Sequence, residues 1–288
     1  IRCLKYIDKE NYTSIIINTP KLNNFFFLPL AMLKVLVLTI KCLILFKKEK
    51  ISILISTGGY MSLPLCLAAK ILSIKIFLIE PNIVLGRANK FFLNFSKKIL
   101  CYSKNLINLP KKFEQKKIII RPLIRKNYYE KNNIPKKDSL FSIIIIGGSQ
   151  GASIFDNFIN EIIVNISKIF SLKVIHQTSK KNIYSLKNFY KENKIENKVF
   201  AFDQNLNELL KQSDLCITRA GASSLAELSI LNIPFIAIPL PSSKDNHQYE
   251  NAKYYKDKGC CWMIDQNNFD KQKLEELLIN ISSKKDEY

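Results

Sequence analysis

The sequence predicts an α/β protein of two Rossmann-like domains facing a cleft, the GT-B arrangement, each domain a parallel sheet covered by helices. Three observations carry that expectation. Apolar runs of strand length alternate with helical patterns in both halves of the chain, as parallel sheets require. The chain has 288 residues, 47% of them apolar, enough for two cores at roughly 100–200 residues per domain. Glycine is scarce, with eight in all, and most of it falls in strand-to-helix turns at Gly58-Gly59, Gly147-Gly148-Gly151 and Gly221. A chain so poor in glycine keeps it where the backbone needs it.

Along the chain, residues 25–46 (FFFLPLAMLKVLVLTIKCLILF) come first. Bilayer crossing takes roughly 20 apolar residues. The Leu, Ile, Val and Phe here contribute roughly −5 to −9 kcal/mol to insertion, against about +5 to +7 for Lys34 and Lys41. Insertion therefore breaks about even, and the seven-residue spacing of Lys34, Lys41 and Lys48 suits a helix lying on a membrane surface or packed as an ordinary core helix. A βαβ unit follows: strand 51–56, the Gly58-Gly59 turn, helix 62–72 and strand 74–80. A helix over 84–98 and a short strand at 99–102 complete a first domain, residues 1–127. Prolines and charges thicken between Lys116 and Ser139, and 128–139 is read as the linker.

The second domain, 140–288, opens on SIIIIGG (142–148), a buried strand ending in glycines, with a helix to about Phe170. Strands follow at 172–178, 198–202 and 214–218, with a helix over 205–212. A third glycine turn, RAGAS (219–223), starts another helix, and 233–241 makes the last strand. Ligands of such sheets bind at the strand C-termini.

The formal charge of +20 would ordinarily suggest nucleic acid or an anionic membrane. Yet 39 of the 44 basic residues are lysine, in a chain rich in isoleucine and asparagine. That mixture fits genome composition with a residual role at a membrane surface, and no nucleic-acid partner is expected. Seven scattered cysteines with no C-x-x-C read as reduced thiols rather than a disulfide framework or metal site.

The chemistry sits at the turns. Gly147-Gly148-Ser149-Gln150-Gly151 lets backbone N–H groups approach an anion at a helix N-terminus, a phosphate or diphosphate site. No Lys-Ser/Thr follows, so it is not a Walker loop, and it lacks the G-x-G-x-x-G of nicotinamide enzymes. The alternative is a plain tight turn. Arg219 to Glu227 repeats the theme, with Glu227 a turn into the helix, where it either accepts ribose hydroxyls or simply stabilises the dipole. Asp245-Asn246-His247-Gln248 is a dense polar cluster at a sheet end. His176-Gln177-Thr178 is equally a ligand contact or a satisfied polar loop. No D-x-D pair occurs, so a divalent ion has no obvious ligands; no metal and no cofactor is expected.

These motifs together resemble the bacterial N-acetylglucosaminyltransferases that add the second sugar to the undecaprenyl-linked peptidoglycan precursor. GGSQGA (147–152), HQT (176–178), D-x-x-x-x-RAGASSLAEL (214–228), IP-x-x-x-IPLP (233–241), D-x-HQ-x-x-NA (245–252) and GGY-x-S-x-P-x-x-x-AA (58–69) stand in family order. The resemblance implies a metal-independent, inverting transferase with UDP-GlcNAc as donor and undecaprenyl-linked muramyl-pentapeptide as acceptor. It works at the cytoplasmic face of the inner membrane, with 25–46 touching anionic lipid and a cell-wall synthesis complex as partner. It further implies that Ser149 and Gln150 meet the diphosphate and that Ala222, Ser223, Ser224, Leu225, Ala226 and Glu227 hold diphosphate and ribose. Gln248 then takes the sugar hydroxyls, the backbone at Phe202-Asp203 the uracil edge, and Asn82 and Arg125 the donor.

The sequence also departs from that pattern. The family's glycine-rich GGTGGH, whose histidine is the favoured general base, is expected upstream of Ile1, and the C-terminus is expected to continue past Tyr288. H-E-Q-N has become Ile79-Glu80-Pro81-Asn82, and G-N-P-V-R has become Arg121-Pro122-Leu123-Ile124-Arg125, one residue out of step. Glu80 is the fallback base. The alternative is a nucleotide-binding relic without transferase activity.

Overall fold

The computed structural model describes residues 13–20, 28–129 and 140–284, with the backbone alone for Leu28 and residues 148–154. The chain forms two compact units, Ile1–Pro81 with Leu85–Ile120, and Asn82–Val84 with Arg121–Tyr288. Both are α/β with parallel sheets.

In the first unit, helix α1 (Leu28–Lys48) precedes strand β1 (Ile53–Ser56), α2 (Leu63–Ile71), β2 (Lys75–Glu80), α3 (Arg87–Phe92), β3 (Ser96–Cys101) and β4 (Lys117–Ile119). The sheet runs β1-β2-β3-β4 with every pair parallel. Its core gathers Cys42 and Phe46 of α1, Cys66, Ala68 and Ala69 of α2, Ile76 and Leu78 of β2, and Phe92 and Ile99.

α1 is long and apolar enough to cross a membrane by length and composition. Yet Ala31, Val35, Thr39, Cys42 and Phe46, spaced along one helical face, are buried. On the other side Leu33, Leu36, Val37, Ile40 and Ile44 are exposed. Residues 25–27 of the predicted segment lie outside the described residues.

Two expectations change in this unit. The helix read over 84–98 shortens to α3, because Phe92 and Leu93 turn into the core and the Phe95 N–H closes on the Phe92 carbonyl. The Lys116 ammonium then donates to the carbonyls of Leu93 (2.7 Å) and Ser96 (2.6 Å), acceptors that a longer helix would have used itself. The stretch read as a domain crossing contains β4, an edge strand whose three residues are too few to show a period among lysines. Arg121–Tyr129 groups with the second unit, since Tyr128 is buried in that unit's core with Ile124 packed beside it. The unit boundary thus falls at Ile120/Arg121 rather than at 127, and residues 130–139 of the predicted linker lie outside the described residues.

The second unit contains β5 (Phe141–Ile146), α4 (Gly148–Ser167), β6 (Leu172–Gln177), α5 (Ile183–Glu192), β7 (Glu196–Phe200) and α6 (Leu206–Lys211). It continues with β8 (Leu215–Thr218), α7 (Ala222–Ile230), β9 (Phe235–Ala237), α8 (His247–Asp257), β10 (Cys261–Met263) and α9 (Lys271–Ser283). The parallel sheet runs β10-β9-β8-β5-β6-β7. All six residues of β5 are buried, because helices cover both faces. α4, α5 and α9 pack Phe155, Ile159, Leu186, Leu274 and Leu278 on one side. α6, α7 and α8 pack Leu209, Leu225, Leu228 and Ala252 on the other.

The chain builds outward from β5 to β7, then returns to build from β8 to β10 on the opposite flank. The order therefore reverses between β5 and β8, the position where open α/β sheets bind ligands. The run read as a single last strand over 233–241 shortens to β9, and β10 is an additional strand. Three residues after Gly259-Cys260 carry too little pattern to announce a strand.

Candidate functional site

Both glycine turns of the second unit open at this switch point. Gly147 leads from β5 into α4, and Ala220-Gly221 leads from β8 into α7, in each case at the strand's C-terminal end. A glycine N-cap has no side chain to cover the first-turn N–H groups, and neither first turn carries an acidic residue. Two helix dipoles with orphan donors thus converge on one sheet edge, an arrangement that favours an anion. The side chains of Ser149 and Gln150, expected to meet the diphosphate, lie outside the described ones.

Positive charge stands at the same edge. Arg219 directly follows β8, and its N–H donates to the Ile146 carbonyl at the end of β5. The residue is only 7% exposed. Its guanidinium donates through Nη1 to the Ile238 and Pro239 carbonyls (3.0 and 3.2 Å) and lies over the Phe155 ring. Among the described residues no carboxylate pairs with it, and burial pulls its pKa down. Nothing in the RAGASSLAEL motif marks this arginine out, because its burial is a property of packing and invisible in the pattern.

Glu227 and Arg125, 102 positions apart in the numbering, meet in this unit. Arg125 Nη2 lies 3.9 Å from Glu227 Oε1 and 3.4 Å from the Tyr128 hydroxyl, which is itself hydrogen-bonded to Glu227. Burial pushes the Glu227 carboxyl above its ordinary range, with Arg125 and Tyr128 opposing it. Burial also raises the Tyr128 phenol, reinforced by Glu227. Glu227 is therefore an acceptor held in a fixed place beside a cation, which suits a ribose next to a diphosphate.

The rest of the predicted stretch on α7 divides. Ser223 is exposed and Ala222 and Ser224 are half-buried. Leu225 and Ala226 are fully buried core residues, so what they can offer a ligand is backbone rather than side chain. Helical periodicity turns both toward the sheet.

Asp203 lies past the end of β7. Burial alone would raise its carboxyl, but the Asn205 N–H (2.8 Å) and the Lys198 ammonium (3.0 Å) outweigh it and hold it low. It braces the loop that presents the Phe202-Asp203 backbone. The Gln248 carboxamide oxygen accepts the Leu240 N–H at 3.0 Å, which leaves donors on its amide nitrogen as the chemistry it can offer a sugar. Just before it, Asp245 and Asn246 are consecutive left-handed residues (φ 52° and 56°), a strained pair of the kind that collects at functional sites.

Asn82 belongs to the second unit, and Asn251 organises it. Buried Asn251 donates to Asn82 Oδ1 (3.1 Å) and to the Ala220 carbonyl of the second glycine turn (3.1 Å), and accepts the Ile83 N–H (2.9 Å). Asn251 stood in the D-x-HQ-x-x-NA motif without a role, and only the fold reveals that it links two expected donor contacts.

The glycosyltransferase family 28 C-terminal domain matches residues 142–288, and the family 28 N-terminal domain matches residues 2–101. The chain belongs to glycosyltransferase family 28. It is 46% identical, over its whole length and 81% of the relative, to the UDP-N-acetylglucosamine–N-acetylmuramyl-(pentapeptide) pyrophosphoryl-undecaprenol N-acetylglucosamine transferase of Pelagibacter ubique. It is 35% identical, over 98% of its length and 81% of the relative, to the protein of the same name from Rickettsia canadensis. The crystal structure of Acinetobacter baumannii MurG shares the fold at a TM-score of 0.72 and 23% identity, covering 96% of this chain and 78% of that one.

In this family 28 enzyme Glu80, the fallback base, lies inside its own unit. Glu80 is 2% exposed, and its Oε2 accepts the Gly86 N–H (2.8 Å) and the Asn89 amide (2.9 Å). A base must reach the proton it takes; this carboxylate braces the loop after β2. Gly86 leaves room for it, since a Cβ there would sit 3.1 Å from Glu80 Oε2 and the carboxylate would have to give by a few tenths of an ångström. Gly58, at φ +79°, likewise leaves room for Asn89, whose side chain a Cβ would meet at 2.9 Å.

His176 is fully buried, so the HQT motif contributes a core histidine rather than a ligand contact. Among the described residues no group of three or more His, Cys, Asp or Glu side chains is placed to hold a metal ion.

Proposed function

We propose that the protein transfers N-acetylglucosamine from UDP-GlcNAc to the C4 hydroxyl of undecaprenyl-pyrophosphoryl-MurNAc-pentapeptide, inverting the anomeric carbon. The observation that carries this reading is the pair of uncapped helix N-termini at the β5/β8 switch point, with Glu227 and Arg125 beside the second, in a chain closely related to transferases named for that reaction. In a single in-line displacement the acceptor oxygen bonds to the anomeric carbon as the bond to the β-phosphate oxygen breaks. UDP leaves with the electron pair, and the acceptor proton passes to a base. Charge developing on the diphosphate is met by the N-termini of α4 and α7 and by Arg125 and the buried Arg219. Glu227 takes the ribose hydroxyls, Gln248 the sugar and Asn82 the donor.

Full-length protein incubated with lipid-linked muramyl-pentapeptide and UDP-GlcNAc should yield UDP and the disaccharide product, with inverted linkage by NMR. Absence of transfer overturns the assignment.

The acceptor is lipid-anchored, and the exposed face of α1 supplies the contact we assign to the cytoplasmic face of the inner membrane. Its leucines and isoleucines lie beside Lys34, Lys41, Lys47 and Lys48, all exposed, as an interfacial helix on anionic lipid requires. Leu36→Glu with Ile40→Glu should weaken sedimentation with phosphatidylglycerol vesicles by about tenfold or more, since each lost side chain forfeits ~1.5 kcal/mol or more of burial. Unchanged sedimentation would remove α1 as the contact.

A further inference from the structure

Five buried polar side chains and the half-buried Asn182 gather between α4, the end of β6 and α5. Asp156 Oδ2 accepts the Thr178 hydroxyl at 2.6 Å and the Asn182 amide at 2.7 Å. Asp156 Oδ1 lies 3.3 Å from His176 Nε2. The other imidazole nitrogen, Nδ1, is 2.8 Å from the Tyr190 hydroxyl, which is 3.1 Å from Asn160 Oδ1. Asn160 closes the circuit by donating to the Asp156 carbonyl. His176 and Tyr190 are fully buried.

Burial lowers the His176 pKa against the opposing pull of Asp156. Burial works to raise the Asp156 carboxyl, but the nearby His176 ring and the hydrogen bonds from Thr178 and Asn182 outweigh it and hold it low. An ionised carboxylate beside a neutral imidazole follows.

Such a network is a poor way to gain stability, since apolar residues of similar volume commonly do as well or better. What it adds is direction. Among the described residues the other core side chains of α4 are Phe155, Ile159, Ile162, Ile163 and Ile166, with Val164 partly buried, apolar surfaces that make no directional bonds. Asp156 is the ninth residue of α4, about 12 Å along the axis from Gly148 at 1.5 Å per residue. A rigid helix pinned there has its N-terminus pinned too.

We propose that Asp156, His176 and Tyr190 are positioning residues for the anion site, fixing the axial placement and rotation of α4 so that the Gly147-Gly148 turn presents its N–H groups to a nucleotide diphosphate. The proposal rests on the reading of that turn as the diphosphate site.

The test compares UDP with uridine on the full-length protein, because uridine lacks the phosphates and a general loss of structure would weaken both. Asp156→Ala is expected to weaken UDP about tenfold, and Tyr190→Phe, which removes one oxygen, about threefold, both with uridine affinity within twofold of wild type. Ligand-observed NMR for uridine and calorimetry for UDP read these constants, with melting temperature recorded for each variant. Equal weakening of UDP and uridine, or a fall in melting temperature with both affinities unchanged, overturns the positioning role. Should Asp156→Ala fail to fold, Tyr190→Phe decides by the same ratio. Wild-type protein that binds uridine as tightly as UDP refutes the diphosphate site itself, and the proposal with it, before any variant is compared.

Discussion

Replacing Glu227 with alanine is expected to weaken UDP binding by about 10- to 100-fold, the range for losing a charged hydrogen-bonding group worth roughly 1.5–3 kcal/mol. The carboxylate is set for this by its surroundings: Arg125 at 3.9 Å, the Tyr128 hydroxyl, and a side chain only 14% exposed. The fold should hardly notice the change. Removing a carboxyl whose pKa burial has raised relieves the cost of ionising it at neutral pH, and this opposes loss of the Tyr128 hydrogen bond. The sign can be checked by titration. A raised carboxyl pKa means the folded wild type binds this proton more readily than the unfolded chain. Its contribution to stability therefore grows as pH falls through the folded pKa toward the ordinary glutamate value, and the alanine variant lacks that rise. UDP titration by calorimetry gives the main result, and equal affinities for wild type and Glu227→Ala would remove the ribose assignment.

Glu80 gives the second large effect, on stability rather than on chemistry. Glu80→Ala removes the acceptor of the half-buried Gly86 N–H and one of the two acceptors of the buried Asn89 amide, and about 2–4 kcal/mol of stability should be lost with them. Glu80→Gln keeps an acceptor oxygen in place and is expected to recover most of the melting temperature, with transfer rate within about tenfold of wild type. A general base behaves in the opposite way, since proton transfer contributes typically 10²–10⁴-fold. A glutamine variant that melts like wild type yet loses about a thousandfold in turnover would restore Glu80 as the base. Thermal melts and initial rates on the same preparations separate the two.

Much of the second unit was legible in the sequence. SIIIIGG announces a strand buried on both faces because continuous apolar runs occur where helices cover both sides of a sheet, and β5 is completely buried. The glycine turns announce helix N-termini because few other residues let the backbone pass so close to an anion. The site was legible as motifs but not as contacts. Glu227 and Arg125 were singled out separately, and it is the burial of Tyr128 that brings Arg125 to Glu227. Leu225 and Ala226 share a motif with Ser224 and Glu227, yet face the core.

The sequence by itself determined the class of sheet, the places where strands give way to helices, and the family, because these rest on local preferences and on residues in fixed order. The tertiary structure alone decided that Glu80 is a brace, that His176 belongs to a buried polar network, that Asn251 joins Asn82 to the second turn, and that β4 and β10 are strands. Each of these depends on partners supplied from elsewhere in the chain. A carboxylate, an imidazole or a three-residue apolar run carries no local mark of whether packing will leave it in water or close around it.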